Sequence, residues 1–89
     1  MREIDVKKIP VVIPAYEPDE KLSGLLRKLR EAGFINLVLV DDGSGEGYVH
    51  LFEDGEKEYG CAVLRHAVNQ GKGRALKTAF NYCLEAYPD

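Results

Sequence analysis

The sequence predicts an α/β fold built on a parallel sheet, with its elements in the order β-α-β-α-β-α. Three short, largely apolar runs, at residues 9–13, 36–40 and 61–64, do not alternate with polar residues, which is typical of strands buried on both faces. Each run is followed by a segment whose apolar residues recur at helical spacing. The connections are long enough for the right-handed crossovers that join parallel strands.

The first strand is expected at residues 9–13, after a polar leader at residues 1–8. Pro10 has no amide donor and belongs near the start or the edge of a strand, and Pro14 is expected to end the strand. Pro18 biases Glu17 away from helical geometry, so the next helix can begin only after this loop.

The first helix is expected to begin at Asp19, a good N-cap residue, and to end at Gly33. Its apolar side chains recur at i, i+3, i+4 and i+7: Leu22, Leu25, Leu26 and Leu29. The second helix is expected over residues 48–59, with Gly60 at its end and a patchier apolar stripe. The third is expected over residues 74–87, with regular 3.6-residue periodicity.

Composition limits the class of protein. The 89 residues predict one small domain, and the formal charge of −3 argues against nucleic acid as a partner. No apolar run approaches the ~18 residues of a membrane span, and the charged start lacks the apolar region of a signal peptide. Cys61 and Cys83 lack the spacing of a metal site and are expected to be reduced thiols in a cytoplasmic protein.

The loops after the three strands should meet at one edge of the sheet, where open α/β sheets bind ligands. Asp41 and Asp42, after the second strand, either cap neighbouring amides or accept hydrogen bonds from a base or from sugar hydroxyls. Tyr16 is either a half-buried aromatic side chain or a stacking surface for a nucleobase. The loop with Gly71 and Lys72 suits an anionic group, although a solvated cationic face would explain the same residues.

Two common phosphate-binding motifs are absent. A P-loop would need Gly at position 66 and Ser or Thr at position 73, where the chain has His66 and Gly73. A dinucleotide fingerprint beginning at Gly43 would need Gly or Ala where Tyr48 stands. His50 and His66 lack a spaced partner, so we expect surface or supporting roles for them rather than catalysis.

Three segments carry motifs in a recognisable order along the chain. They are Val11-Val12-Ile13-Pro14-Ala15-Tyr16, Leu39-Val40-Asp41-Asp42-Gly43-Ser44 and Asn69-Gln70-Gly71-Lys72-Gly73-Arg74-Ala75-Leu76. Together they resemble the opening of a family 2 glycosyltransferase, from residue 9 to residue 87. The resemblance implies a partial GT-A fold, which is three-layered and Rossmann-like, with strand order 3-2-1. It also implies that residues 1–89 are a single domain, the N-terminal nucleotide-sugar-binding part of a glycosyltransferase.

The resemblance further implies which residues bind the donor: Pro14, Ala15, Tyr16, Glu17, Asp41, Asp42, Gly43, Ser44, Gly71 and Lys72. Tyr16 would pack on the base, Asp42 would contact the base, and Asp41 would support the turn. Lys72 would lie near the nucleotide. The family commonly has Asn-Glu after Ala-Tyr where this chain has Glu17-Pro18, so a polar contact from that loop rests on Glu17 alone.

By the same resemblance, the donor is a UDP- or GDP-type nucleotide sugar, and the reaction is glycosyl transfer to an acceptor hydroxyl. The complete enzyme is expected to need a divalent metal, Mg or Mn, held by an Asp-x-Asp motif beyond residue 89, where the catalytic base is also expected. No catalytic or metal-ligating residue is therefore assigned to this chain, which alone is expected to be inactive and to bind no metal. The complete enzyme is expected in the cytoplasm or at the inner face of a membrane.

The residues leave other interpretations open. The main alternative is a small flavodoxin-like module that binds a nucleotide or a phosphate without catalysis. Receiver domains carry paired acids after the first strand, and sugar nucleotidyltransferases carry a glycine-rich signature there, whereas this chain has Pro14-Ala15-Tyr16. A domain that only binds other proteins is a further alternative. In the expected strand order, the apolar first strand is at an edge, which predicts self-association through Val11-Val12-Ile13.

Overall fold

The computed structural model describes residues 5–87, in which three strands and three α-helices alternate along the chain. The strands are β1 (Pro10–Ala15), β2 (Asn36–Asp42) and β3 (Ala62–His66), and the helices are α1 (Lys21–Glu31), α2 (Val49–Tyr59) and α3 (Lys72–Ala86). Short 3₁₀ turns precede β1 and α2, at Val6–Lys8 and Glu46–Tyr48. The predicted β-α-β-α-β-α order is confirmed.

The strands form one parallel sheet in the order β1-β2-β3. β2 lies in the middle, with Leu39 opposite Ile13 of β1 and Val63 of β3. The structure has the order β1-β2-β3 where 3-2-1 is expected. Counted from the opposite edge of the sheet, the two orders name the same neighbouring strands, and β2 is central in both.

Side chains of β2 alternate between two cores, one on each face of the sheet. The core toward α1 and α2 contains Ile13, Leu22, Leu26, Leu37, Leu39, Phe52 and Cys61. The core toward α3 contains Val38, Val40, Ala75 and Ala79. Full burial of each large apolar side chain contributes about 1.5–3 kcal/mol of hydrophobic stabilisation. The fold therefore has three layers, with α1 and α2 on one side of the sheet and α3 on the other.

β1 continues through Pro14 to Ala15, so the prediction that Pro14 ends the strand is wrong. The reason is that β1 is an edge strand, paired only with β2. In a parallel pair, alternate residues bond to the neighbouring strand. Proline has no N–H, so we infer that the backbone polar groups of Pro10, Val12 and Pro14 point away from β2 and that neither proline costs a hydrogen bond to it.

β2 includes Asp41 and Asp42, which the sequence places in a turn, and β3 reaches His66 where residue 64 is the predicted end. Asp41 pairs with Arg65, and Asp42 pairs with His66. The two strands lengthen together because each supplies backbone partners for the other. α3 begins at residue 72 rather than at the predicted residue 74.

The predicted C-terminal ends of α1 and α2 are confirmed, whereas α1 begins at Lys21, with Glu20 as its N-cap residue, rather than at Asp19. Asp19 nevertheless accepts a hydrogen bond from the Lys21 N–H at 2.9 Å, beside the start of the helix. Gly33 and Gly60 follow α1 and α2 with φ angles of 102° and 68°, which glycine adopts without strain. Residues 1–4 of the predicted polar leader lie outside the described residues.

None of the helices described between residues 5 and 87 combines the length and the apolar character that crossing a membrane requires. The two cysteines are free thiols, as predicted. Cys61 is buried, and this burial raises the pKa of its thiol to about 11. Its thiolate is therefore a negligible species at neutral pH.

Self-association through the free edge of β1 stays a prediction. With Pro10, Val12 and Pro14 facing outward, β1 would offer three carbonyl acceptors and the Val12 N–H as its donor, so we expect weak pairing with a second copy of the chain at high concentration. Sedimentation velocity across a concentration series should show a dimer, and Val12→Pro, which removes the remaining donor, should abolish it. A clean monomer of the wild-type chain at the highest concentration would contradict this expectation.

Candidate functional site

A cleft of about 280 Å³ opens where the loops after the three strands meet. Its lining residues are Pro14, Ala15, Tyr16, Asp42, Asn69, Gly71 and Lys72. All of them except Asn69 belong to the set of site residues expected from the sequence. The structure therefore brings the three loops to one rim, as expected, while their role in binding a ligand stays a prediction.

Asp41 and Asp42 point to opposite faces of the sheet, because successive residues of a strand alternate. The Asp41 Oδ1 atom accepts a hydrogen bond from the Ser44 N–H at 2.9 Å, which closes the turn after β2. Asp42 instead lines the cleft. The adjacent carboxylates are thus separated, with Asp41 supporting the turn and Asp42 available to the site.

Both carboxylate oxygens of Asp42 accept hydrogen bonds. Oδ1 accepts from the Gln70 N–H at 2.9 Å and from His66 Nδ1 at 2.7 Å, and Oδ2 accepts from the Gly71 N–H at 2.9 Å. The Gln70 N–H first, and then the His66 side chain, lower the pKa of Asp42 below its ordinary value. Asp42 is therefore ionised at neutral pH and fastens the loop after β3 to the end of β2.

His66 has a supporting role, one of the two roles expected of it, and what the sequence did not show is its partner, Asp42. It lies opposite Asp42 in the register of β2 and β3, and its Nε2 atom is 2.8 Å from Thr78 Oγ1 of α3. The signal that points to it is positional, since a polar residue that ends one strand meets the residue that ends the neighbouring strand. Recognising that signal requires the register, which the sequence pattern does not fix.

Ser44 joins the loop after β2 to the loop after β1. Its hydroxyl oxygen accepts a hydrogen bond from the Glu17 N–H at 2.8 Å, and the side chain is buried. Glu17 has a φ angle of 48°, a left-handed conformation that costs a residue with a Cβ about 1–2 kcal/mol. Neither Ser44 nor the Glu17 side chain lines the cleft, so both residues contribute by holding the loops together.

Gly43 lies where the loops after β2 and β3 are in close contact. Its φ angle is 75°, and a Cβ there would overlap backbone atoms of Val68 and Asn69. A glycine is therefore required on two counts, the backbone conformation and the contact. This contact holds the loop after β3 against β2, beside the hydrogen bonds that Asp42 makes.

Tyr16 and Lys72 are exposed side chains of the cleft. Tyr16 is 51% exposed and also borders a second, more open cleft of about 440 Å³ beside α1. Lys72 is the first residue of α3, and the N-cap residue, Gly71, has no side chain that could cap the N–H groups of the first helical turn. The free N–H groups of that turn and the lysine ammonium both favour a bound anion.

The family model for Glycosyl transferase family 2 matches residues 11–87. The chain belongs to this family. This assignment confirms the resemblance carried by the motifs after β1, after β2 and at the start of α3.

Several curated relatives of this family 2 chain are similar over most of its length. An uncharacterized protein of Methanocaldococcus jannaschii is 34% identical over 84 residues, which cover 94% of this chain and 33% of that protein. An undecaprenyl-phosphate 4-deoxy-4-formamido-L-arabinose transferase of Pseudomonas fluorescens is 31% identical over 90 residues, covering 93% of this chain and 26% of that enzyme. The enzyme of the same name from Pseudomonas paraeruginosa is 32% identical over 79 residues, covering 83% and 23%.

The chain therefore spans a third or less of the length of each of these relatives. No solved structure matches it with statistical significance.

The side chains described between residues 5 and 87 do not fit a divalent metal ion. Within residues 5–87, no three side chains of His, Cys, Asp or Glu converge as a metal site would require. Asp41 and Asp42 diverge, and backbone N–H groups already occupy oxygens of both carboxylates. The metal expected for the complete enzyme stays a prediction, and no step proposed for these residues depends on it.

Gly43→Ala should destabilise the family 2 chain far more than Gly45→Ala. Both glycines have positive φ angles, of 75° and 91°, but a Cβ at Gly45 would meet no atom within 4 Å. The matched pair therefore separates backbone strain from the overlap with Val68 and Asn69. We expect Gly43→Ala to lower the free energy of unfolding by at least about 2 kcal/mol more than Gly45→Ala, as measured by urea denaturation. Equal losses for the two variants would contradict the described contact.

Stability should fall at acid pH as Asp42 takes up a proton. Because the pKa of Asp42 is lowered in the folded chain, the unfolded chain binds this proton at a higher pH. The contribution of Asp42 is therefore fully present above about pH 4, the ordinary range of an Asp carboxyl, and is lost as the pH falls below it. Urea denaturation of the wild-type chain and Asp42→Asn should show a stability difference at pH 5. That difference should shrink by pH 3, and an unchanged difference would contradict the prediction.

Proposed function

We propose that the cleft binds the nucleoside diphosphate of a nucleotide-sugar donor. On this proposal, residues 1–89 are the N-terminal nucleotide-binding part of a GT-A glycosyltransferase. The observation that carries the proposal is that Tyr16, Asp42 and Lys72, from three separate loops, line one cleft. Membership of family 2 supports glycosyl transfer as the reaction of the complete enzyme.

The base would lie against Tyr16. Its half-exposed ring offers a flat face beside Pro14 and Ala15, and aromatic faces stack on any nucleobase. Stacking of this kind contributes about 1–3 kcal/mol per base.

Asp42 would accept a hydrogen bond from an N–H group of the base. Its Oδ1 atom already accepts from Gln70 and His66, whereas Oδ2 accepts only from Gly71 among the described contacts. Each carboxylate oxygen has room for two donors, so Oδ2 retains acceptor capacity on the cleft side. The ionised state of Asp42 strengthens such a bond.

The pyrophosphate would lie near the start of α3. Lys72 supplies a positive charge, and the first N–H groups of the helix carry the positive end of its dipole. Gly71, with a φ angle of 92° and no side chain, lets the backbone come close to the ligand.

In the complete enzyme, an acceptor hydroxyl would displace the nucleoside diphosphate from the anomeric carbon of the sugar. The residues described here would contribute binding and orientation of the donor. We therefore expect residues 1–89 alone to bind the nucleotide weakly and to transfer no sugar. Sugar transfer by this chain alone would contradict that expectation.

Nucleotide binding can be tested on the isolated chain with UDP, GDP and inorganic phosphate, each with and without Mn²⁺. UDP or GDP should raise the thermal midpoint more than phosphate does. In calorimetric titration, Tyr16→Ala should weaken nucleotide binding by about tenfold or more, in line with the loss of stacking. Lys72→Ala should also weaken it, whereas Lys77→Ala, on an exposed lysine of α3 outside the cleft, should not.

Two outcomes would count against the proposal. No midpoint shift with either nucleotide would refute donor binding by these residues. A shift with inorganic phosphate alone, unaffected by Tyr16→Ala, would favour a phosphate-binding module without glycosyl transfer.

A further inference from the structure

The side chains of Asp42, His66 and Thr78 form a continuous hydrogen-bonded chain behind the cleft. His66 Nδ1 is 2.7 Å from Asp42 Oδ1, and His66 Nε2 is 2.8 Å from Thr78 Oγ1. The side chains of His66 and Asp42 are only 8% and 5% exposed. The described contacts thus leave both ring nitrogens of His66 with a partner inside the protein.

We infer that His66 is a positioning residue, which holds the Asp42 carboxylate and the loop after β3 in the arrangement that forms the cleft. The inference rests on the proposed function to the extent that this cleft is the nucleotide site. It assigns a role to a residue that does not itself line the cleft.

The ionisation of Asp42 determines which atom donates in each of these two hydrogen bonds. The ionised Asp42 carboxylate can only accept hydrogen bonds, so the proton of His66 lies on Nδ1. In the neutral ring, Nε2 is then an acceptor, and the Thr78 hydroxyl donates to it. Asp42 therefore sets the tautomer of His66, and the Thr78 hydroxyl, which can donate or accept, fixes the orientation of the imidazole through the second nitrogen.

These contacts also connect Asp42 to α3 by two routes, one through the backbone and one through side chains. Asp42 Oδ2 accepts from the Gly71 N–H immediately before α3, and α3 carries Thr78 back to His66. The orientation of the carboxylate is thus tied to the helix whose first turn borders the cleft. Rotation of Asp42 would break its bonds to Gln70 and Gly71 together.

Matched variants separate positioning from packing. His66→Phe keeps an aromatic ring but has no donor, whereas His66→Asn keeps an N–H donor near the place of Nδ1. Thr78→Val removes the hydroxyl with little change in shape, and Thr78→Ser retains it. None of these changes alters a residue that lines the cleft.

The first measurement needs no ligand. In the folded His66→Phe variant, hydrogen exchange of the Gln70 and Gly71 amides should speed up at least tenfold relative to the wild-type chain. His66→Asn should restore most of the protection. Amides in the middle of β2 serve as the internal reference for global unfolding.

The second measurement is the affinity for UDP or GDP at a temperature where circular dichroism shows every variant folded. We expect His66→Phe to bind about tenfold more weakly and Thr78→Val several-fold more weakly, with His66→Asn and Thr78→Ser close to the wild-type chain. A histidine that only stabilised the fold would lower the unfolding midpoint without changing the affinity of the folded protein.

The outcomes distinguish this inference from the proposed function. If the wild-type chain binds neither nucleotide but His66→Phe releases the Gln70 and Gly71 amides, His66 positions the loop and the nucleotide proposal fails. If His66→Phe leaves both amides protected, the positioning role is overturned, whatever the affinity. Failure of His66→Asn to restore protection would also overturn it, because the role depends on the donor.

Discussion

The geometry of the cleft depends on the hydrogen bonds that the Asp42 carboxylate accepts. One side chain at the end of the central strand holds two backbone N–H groups of the loop after β3 and the imidazole of His66. These bonds are formed by a charged acceptor, which makes them stronger than bonds between neutral groups. Loss of this acceptor would leave the Gln70 and Gly71 N–H groups and His66 without their partner inside the protein. The loop after β3 therefore takes its position from a residue of β2.

The other residues singled out by the motifs fall into two groups. Tyr16 and Lys72 face the cleft and are exposed, as a ligand would need them to be. Asp41, Ser44 and the backbone of Glu17 form a separate set of hydrogen bonds that joins the turn after β2 to the loop after β1. A motif that looks uniform in sequence thus contains residues for contact and residues for support. The family 2 resemblance assigned Asp41 to support, and its bond to the Ser44 N–H agrees with that assignment.

The fold was predictable because its signals are local. Uninterrupted apolar runs mark strands covered on both faces, and the leucine stripe of α1 with its glycine stop marks a helix. The predicted strand ends were wrong where pairing with a neighbouring strand determines how far a strand extends. Pro14 stays in β1 because an edge strand does not need an N–H donor from every residue. Asp41 and Asp42 stay in β2 because residues of β3 pair with them. The supporting role expected for His66 could not be given a partner for the same reason, since that partner is the residue opposite it on the neighbouring strand.

The glycine at position 43 has a consequence for related proteins. In this chain, two backbone segments touch there with no space for a side chain. In a homologue with a larger residue at the equivalent position, one of those segments must lie further out. This shift would widen the cleft and separate the carboxylate equivalent to Asp42 from its amide partners. The residue type at that single position therefore indicates, from sequence alone, which members of the family share this cleft and which have a wider one.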